Sequence, residues 1–598
     1  MTRPSSILLF TLTLILPGVT TLKSADLHLD NLFPTNRLVS LEITVDEENW
    51  NKLRFERREF WTALGADRQF ESPPSPYNYV EASVKIDGVT FPKVGLRKKG
   101  FFGSQDTERP SLKIKLNMFD LDSNIDGLTN LTFNNNKQDR SQMSQFMGYA
   151  FFDAAGSPGS RCALAKVLVN GENIGVYSHV ETVREQLLER EFGNSDGTLY
   201  EGTVVDFFPN WEKSFELKTS DPESGLKHLL KVINALSEED GDSLLGSNPQ
   251  GKAWVPSHGK FDDAWMHGNF DDSEWRDVSN AVGYEHSEGY ESYISDKGDF
   301  QNEMHGKATS LYLRIPFQID DVSVIRPQHI LLRTRCDDGF IAYLNGQEIG
   351  RHHAPKKANW KSSATDSTDD RINYAMTSFD LSQYIDQFKS GSNLLAIHAL
   401  NLTANSTDFL LQADLQTGDF DLQKRIWKWV DKDAFFTFWT IEGLLSFWDG
   451  YSGNRNNFFV YMNPSTGKIH FMPWGIDCLF EKHSPLGVPP QSPRSVRTVG
   501  LLAHKLYQIP DVRKEYATRM KALMDLLWHE PALLAETERI EVMVRPHLSD
   551  SQGRNANFDG TRNFIRNRRA DIEKEIHADA MPLWNAPPIE PPVIGENF

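Results

Sequence analysis

The stretch that decides the reading runs Trp448-Asp449-Gly450-Tyr451-Ser452-Gly453-Asn454-Arg455-Asn456-Asn457-Phe458-Phe459-Val460-Tyr461. It passes through Asn463-Pro464-Ser465-Thr466-Gly467 and ends Lys468-Ile469-His470-Phe471-Met472-Pro473-Trp474-Gly475-Ile476-Asp477. A polar loop gives way to an apolar strand, a Pro-Gly turn, a second strand and an acid at its end, which is a hairpin. Folding back brings Asp449, Asn457 and Asp477 toward one point. Two carboxylates and an amide oxygen are hard ligands, the kind magnesium takes together with substrate phosphates. Asp and Asn are also ordinary turn formers, so the pattern alone leaves both readings open.

Working outward, helical periodicity covers 420–448 before the hairpin and about 497–580 after it. Toward the N-terminus, 38–45 alternates like a strand and Asp46 caps a short helix carrying Trp50 and Leu53. Segments 79–86 and 89–96 flank Asp87-Gly88, and 163–169 and 174–180 flank Asn170-Gly171-Glu172-Asn173; both read as β-hairpins. A strand at 111–116 follows the loop Gly100-Phe101-Phe102-Gly103-Ser104, and a helix covers 141–155. From about 250 to 418 the pattern becomes strand–turn–strand with little helical periodicity, which predicts an antiparallel sandwich.

The chain has 598 residues, enough for three or four domains. Its formal net charge of −19 argues against general nucleic-acid or anionic-membrane binding. Cys162, Cys336 and Cys478 are too few and too scattered for a disulfide framework or a zinc site. Residues 1–25 combine Arg3, an apolar run from Ile7 to Leu16, and small residues, as signal peptides do; no later run is long enough to span a bilayer. The expected location is secreted, periplasmic or cell-surface.

Several motifs resemble, in order, the CotH family of atypical secreted kinases. They are Val94-Gly95-Leu96-Arg97-Lys98-Lys99-Gly100 with Ser111-Leu112-Lys113-Ile114-Lys115-Leu116, and Val169-Asn170-Gly171-Glu172-Asn173-Ile174-Gly175-Val176-Tyr177 with Glu181. Asn456-Asn457-Phe458-Phe459-Val460-Tyr461, Phe471-Met472-Pro473-Trp474-Gly475-Ile476-Asp477 and Phe564-Ile565-Arg566-Asn567-Arg568-Arg569 complete the set. The resemblance implies transfer of the ATP γ-phosphate, with Mg2+, to Ser/Thr hydroxyls of an extracytoplasmic protein acceptor. It implies Asp449 as the catalytic Asp that orients the acceptor hydroxyl, and Asp477 with Asn457 or Asn454 as metal ligands. Asn454 has the usual kinase spacing from Asp449; Asn457 directly precedes the strand. Lys113 or Lys115, which share one face of their strand, would steady the phosphates. Arg97, Gly100 and Glu181 would contact the nucleotide, with Glu181 or Glu185 as the acid for a strand lysine. Two departures stand out: Gly475 replaces a frequent Asp, and Phe101-Phe102 replaces a polar phosphate-binding turn. A CotH-like protein that binds without turning over is the alternative.

Residues 251–418 resemble galactose-binding-like jelly-roll modules through Trp265, Phe270-Asp271-Asp272-Ser273-Glu274-Trp275 and Asp337-Asp338-Gly339-Phe340. That resemblance implies a glycan partner, although Trp265, Trp275 and Tyr343 equally suit core packing. The expected fold class is α+β: a kinase-like core, 38–250 and 419–580, interrupted by an all-β jelly roll, with a helical C-terminal region and an irregular Pro-rich tail at 581–598. His352-His353 is expected to point to opposite faces of a strand and so to share no metal.

Overall fold

The structure is a computed structural model that describes residues 27–582 apart from 60–62, 220–221, 237–240, 248, 280, 288, 326–328, 369–375, 419–420, 482–492 and 578. The expected signal peptide, and the Pro-rich tail from residue 583, lie outside the described residues. The chain mixes helices and sheets, an α+β composition, and forms two compact units: Met1–Leu236 with Leu422–Phe598, and Ser237–Asp421.

In the first unit seven strands close into a barrel: β1 (Val39–Val45), β2 (Val80–Ile86), β3 (Val89–Lys98), β4 (Leu112–Lys115), β5 (Asn130–Asn134), β6 (Cys162–Val169) and β7 (Glu172–Val180). The order is β1-β2-β3-β4-β5-β7-β6, and β1 closes the ring by pairing parallel to β6. Closure is absent from the strand-by-strand reading. Alternation along β1 sends Val39, Leu41, Ile43 and Val45 into a core shared with Val84, Leu96, Ile114 and Val167. The hairpin turns form because Asp87 and Gly88, like Asn170 and Gly171, all take positive φ, as tight two-residue turns require.

A second core in this unit packs the helices Ser144–Ala154, Lys432–Leu445, Pro510–Leu527 and Phe558–Glu573 against the hairpin strands Phe458–Asn463 and Lys468–Pro473. Trp439 anchors it, edge-on to Tyr516 at 4.7 Å with its indole N–H on the Arg497 carbonyl. The hairpin extends a four-stranded sheet: Phe458–Asn463 pairs with Thr198–Gly202, which pairs with Glu216–Leu217. Distant segments thereby flank the loop ends that carry Asp449 and Asp477.

The second unit contains two antiparallel sheets around one core. One orders Arg276–Ser279, Gln250–Trp254, Ser310–Ile319, Gly391–Leu400, Gly339–Leu344 and Gln347–His352; the other centres on His329–Cys336 and Asp408–Gly418. Leu311, Leu313, Ile397, Leu332 and Leu411 meet between them. Tyr312, Leu394 and Ala396 alternate onto the opposite face of the six-stranded sheet, where Trp265 and Trp275 cover them. Trp265 lies flat on Tyr312 at 4.2 Å, and Tyr343 meets Trp265 edge-on. These aromatics are packing residues in this structure. The histidine expectation is corrected: the rings of His352 and His353 stack at 3.8 Å. The strand ends at His352, and His353 turns to φ +41°, which breaks the alternation.

Candidate functional site

The hairpin of the opening stretch forms as read, and its two ends meet. Asp449 follows the helix Lys432–Leu445, and the short helix Tyr451–Asn454 holds its loop. Three side-chain amides grip the Asp449 carboxylate: Asn454 donates at 2.7 Å, Asn457 at 2.8 Å and Asn456 at 3.1 Å. Both asparagines left open by the sequence therefore reach Asp449, and a third, Asn456, joins them. Asn457 also touches the far end of the hairpin. Its backbone carbonyl accepts from the Trp474 N–H at 3.0 Å, and its amide oxygen lies 2.8 Å from where a Cβ on residue 475 would stand. Residue 475 has φ +52°, so glycine is the residue that fits there.

Asp477 follows two residues later, half-buried. Burial pushes its carboxyl up to about 7, and the like charges of Asp449 and Asp139 add to the push. Burial likewise raises Asp449, against the hydrogen bonds of its three asparagines. Asp139 belongs to none of the sequence motifs. It accepts from the N–H groups of Ser141 and Ser144 at 2.8 Å each, an anchor for the helix Ser144–Ala154. That helix packs closely on the Asp477 loop: a Cβ at Gly148 would meet Leu479 and Ile476 within 3 Å.

Next to this acidic group lies a cluster of cations around a half-buried acid, Glu201. Lys99 donates to the Asn134 side chain at 2.7 Å and rests 5.3 Å over the Trp474 ring. Burial pulls its ammonium down to about 8, while Glu201 and Asp477 pull the other way. Lys113 is pulled down to about 7 by burial and by Arg97, Arg184 and Lys218, with Glu201 opposing. Glu201 binds Lys218 at 2.5 Å. Burial works against its charge, yet Lys218, Lys99 and Lys113 together hold its carboxyl below the usual carboxylate range. Lys99 thus faces both groups, the acid pair and the Glu201 cluster.

Other expected residues fall differently. Lys113 pairs with Arg97 across β3 and β4 and belongs to the cluster, whereas Lys115 lies two residues on, between Gly95 and Asn130. Arg97 donates to Ser75 at 2.9 Å. Gly100 takes φ +85°, and its carbonyl accepts from the Tyr77 hydroxyl at 2.7 Å. Phe102 beside it is exposed at φ +36°. Glu181 is fully buried between Arg161, at 2.9 Å, and Arg190, at 2.6 Å. Its carboxylate is taken up by arginines, and Glu201 is the acid whose charge opposes the burial of Lys113. Glu201 and Lys218 carry no local signal: one lies on the strand Thr198–Gly202, the other directly after Glu216–Leu217, and only the pairing of those strands brings them together.

The Asp477 carboxylate and the Asn457 amide oxygen, beside Asp449, fit a magnesium ion shared with phosphates, which needs few protein ligands. Among the described residues no group of three or more His, Cys, Asp or Glu is arranged to hold a metal by itself. No described helix is long and apolar enough to cross a membrane.

No curated protein matches the sequence. Among solved structures the chain is similar to a β-glycosidase from Bacteroides vulgatus, at 14% identity and TM-score 0.18, over 29% of this chain and 20% of that one. It is also similar to a β-glucuronidase from an uncultured Clostridium sp., at 14% identity and TM-score 0.19, over 30% of each. The chain spans under a third of the length of those enzymes, and likenesses so slight carry no argument. The CotH kinase protein model, in contrast, matches residues 96–246 and 407–576. Those two segments contain Arg97, the Lys99–Glu201 cluster and the whole Asp449–Asp477 hairpin, and they make up just over half of the sequence: the chain belongs to the CotH kinase protein family.

Proposed function

We propose that the first unit is a phosphotransferase: an ATP- and Mg2+-dependent kinase acting on Ser/Thr hydroxyls of an extracytoplasmic protein. One observation carries the reading. The acid pair Asp449–Asp477 repels itself, and beside it stands the cationic cluster of Lys99, Lys113 and Lys218. An anion-repelling point next to an anion-attracting one suits a metal–polyphosphate complex.

Asp477 and the Asn457 oxygen would hold the metal, with Asn454 helping to fix Asp449. Magnesium-bound ATP supplies the transferable phosphoryl group with its charge partly neutralised. The chain's own work is positioning. Asp449, fixed by three amides, would accept the hydrogen bond of the acceptor hydroxyl at its carboxylate and aim the oxygen. Lys99 and Lys113, with Arg97 behind, would steady phosphate oxygens; Gly100 gives its loop room to approach them. The sequence left this role open between Lys113 and Lys115; the charge cluster supports Lys113, and we add Lys99 to it.

The second reading is a CotH-like protein that binds without turnover. The exposed Phe102 favours it, since this loop offers a bulky apolar side chain where a polar phosphate turn was expected. In either case we place the protein outside the cytoplasm, with the second unit a jelly-roll-like recognition module for glycan or protein.

The test measures thermal unfolding with and without ATP and Mg2+, then transfer of labelled γ-phosphate to protein. A Mg2+-dependent rise in Tm that Asp477→Ala abolishes supports the nucleotide site. Asp449→Ala should keep the rise and lose transfer. No rise at millimolar ATP sinks the kinase reading and leaves the binding one.

A further inference from the structure

The second unit holds a cavity of about 970 Å³ in the segment that covers the outer face of its six-stranded sheet. That volume sits at the upper end of small-molecule sites, on the order of 300–1,000 Å³. Its floor is aromatic. Trp254, Phe261 and Phe270 are half-buried, and Phe261 meets Phe270 edge-on at 5.1 Å.

The frame beneath is rigidly tied. Arg314, buried, donates to the Asp272 carboxylate at 2.6 Å and to the carbonyls of Trp265 and His267; the Tyr312 hydroxyl donates to Asp262 at 3.0 Å. The floor is therefore held in place before any ligand arrives.

The rim is polar and acidic. Asp263, Asp271 and Glu274 line it against one ammonium, Lys260, with His258 and His267 the other ionisable side chains. Lys260 sits 5.2 Å over the Phe261 ring, so an aromatic face here already carries a cation. Phosphate, sulfate and uronate ligands would meet repulsion from the carboxylates. A ligand with a flat apolar face and an amine- and hydroxyl-bearing edge meets aromatic rings below and a rim of three carboxylates against one ammonium.

We propose that this cavity binds an amine-bearing saccharide, a short chain of amino-pyranose units stacked on Phe261 and Trp254 with its ammonium groups toward Asp263 and Glu274. The inference rests on the recognition-module reading of the second unit and is independent of phosphotransfer in the first.

Calorimetric titration of the full chain with a β-linked glucosamine trimer tests it, with cellotriose and a glucuronate-containing trimer as comparisons. The glucosamine trimer should bind, cellotriose more weakly, and the glucuronate trimer not at all. The double variant Asp263→Asn/Glu274→Gln should weaken the glucosamine trimer about tenfold, a loss of 1.4 kcal/mol, and leave cellotriose unchanged. Phe261→Ala, checked for an unaltered Tm, should weaken both. No heat with the glucosamine trimer at millimolar concentration overturns the site. Equal binding of the glucuronate trimer overturns the ligand class, and full binding by both variants overturns the location. Asp477→Ala should leave these titrations unchanged, so failure here and failure of the kinase reading are told apart.

Discussion

The two units handle buried polar groups in opposite ways. In the second, Arg314 lies beneath the aromatic layer with a carboxylate and two carbonyls as partners, and Trp265 and Tyr312 stack over apolar neighbours. In the first, Asp477 faces Asp449 and Asp139 with Lys99 as the opposing charge, and Lys113 faces Arg97, Arg184 and Lys218 with Glu201 as the opposing charge. One arrangement satisfies its charges and holds a fold together. The other keeps unfavourable charge at two adjacent points, which costs stability and makes sense if a ligand supplies the missing partner.

The largest expected effect strikes the satisfied side. Trp265→Ala removes a fully packed aromatic, and denaturant unfolding should show a loss of about 3–5 kcal/mol in the second unit. If the loss is below about 1 kcal/mol, the aromatic layer is not the support described.

The unsatisfied side should behave in reverse. The folded-state pKa of Asp477 lies above its unfolded value of 3.8. Its contribution to stability is therefore fully present below about pH 4 and lost as pH rises toward about 7. Asp477→Asn should stabilise the metal-free protein at pH 8 by roughly 1–2 kcal/mol after solvent screening, and make no difference at pH 4. Lys113 has the opposite sign. Its folded pKa of about 7 lies below the unfolded 10.5, so its penalty is complete below 7 and fades as pH climbs toward 10.5. Lys113→Met should raise Tm at pH 6 and leave it nearly unchanged at pH 10.5. A drop in Tm at pH 6 would mean that the lysine is a structural partner and would break the comparison.

The smallest effect is a control outside both arrangements. Asp46 accepts from the Glu48 and Asn49 N–H groups at the start of the helix Glu47–Phe55. Asp46→Ala should cost about 1 kcal/mol at neutral pH, with no effect on ligand responses.

Local chemistry explains what could be read in advance. Asp87-Gly88 and Asn170-Gly171 announce their hairpins because few residues tolerate positive φ, and Asp46 announces a helix start because its side chain serves the free N–H groups. The 448–477 hairpin was legible for the same reason, and with it Asp449, Asn457 and Asp477. Barrel closure was not, since the pairing of β1 with β6 leaves no trace in either strand alone. Lys99 was passed over for Lys113 and Lys115 because it lies just beyond the end of β3, where alternation no longer says which way a side chain points. Glu181 looked available in sequence; only the folded positions of Arg161 and Arg190 show it to be taken. His353 was misplaced because strand alternation was carried one residue past the strand's end.

The parallel seam of the barrel also sets an order in time. During synthesis β1 emerges early and finds β2, but its other edge stays open until β6 has been made. Such distant pairings form slowly, and an open edge is an invitation to another chain. The barrel's most dangerous moment is thus the interval between its second strand and its sixth, and a helper that shields the free edge of β1 during that interval should raise the yield of folded protein more than one acting after the chain is complete.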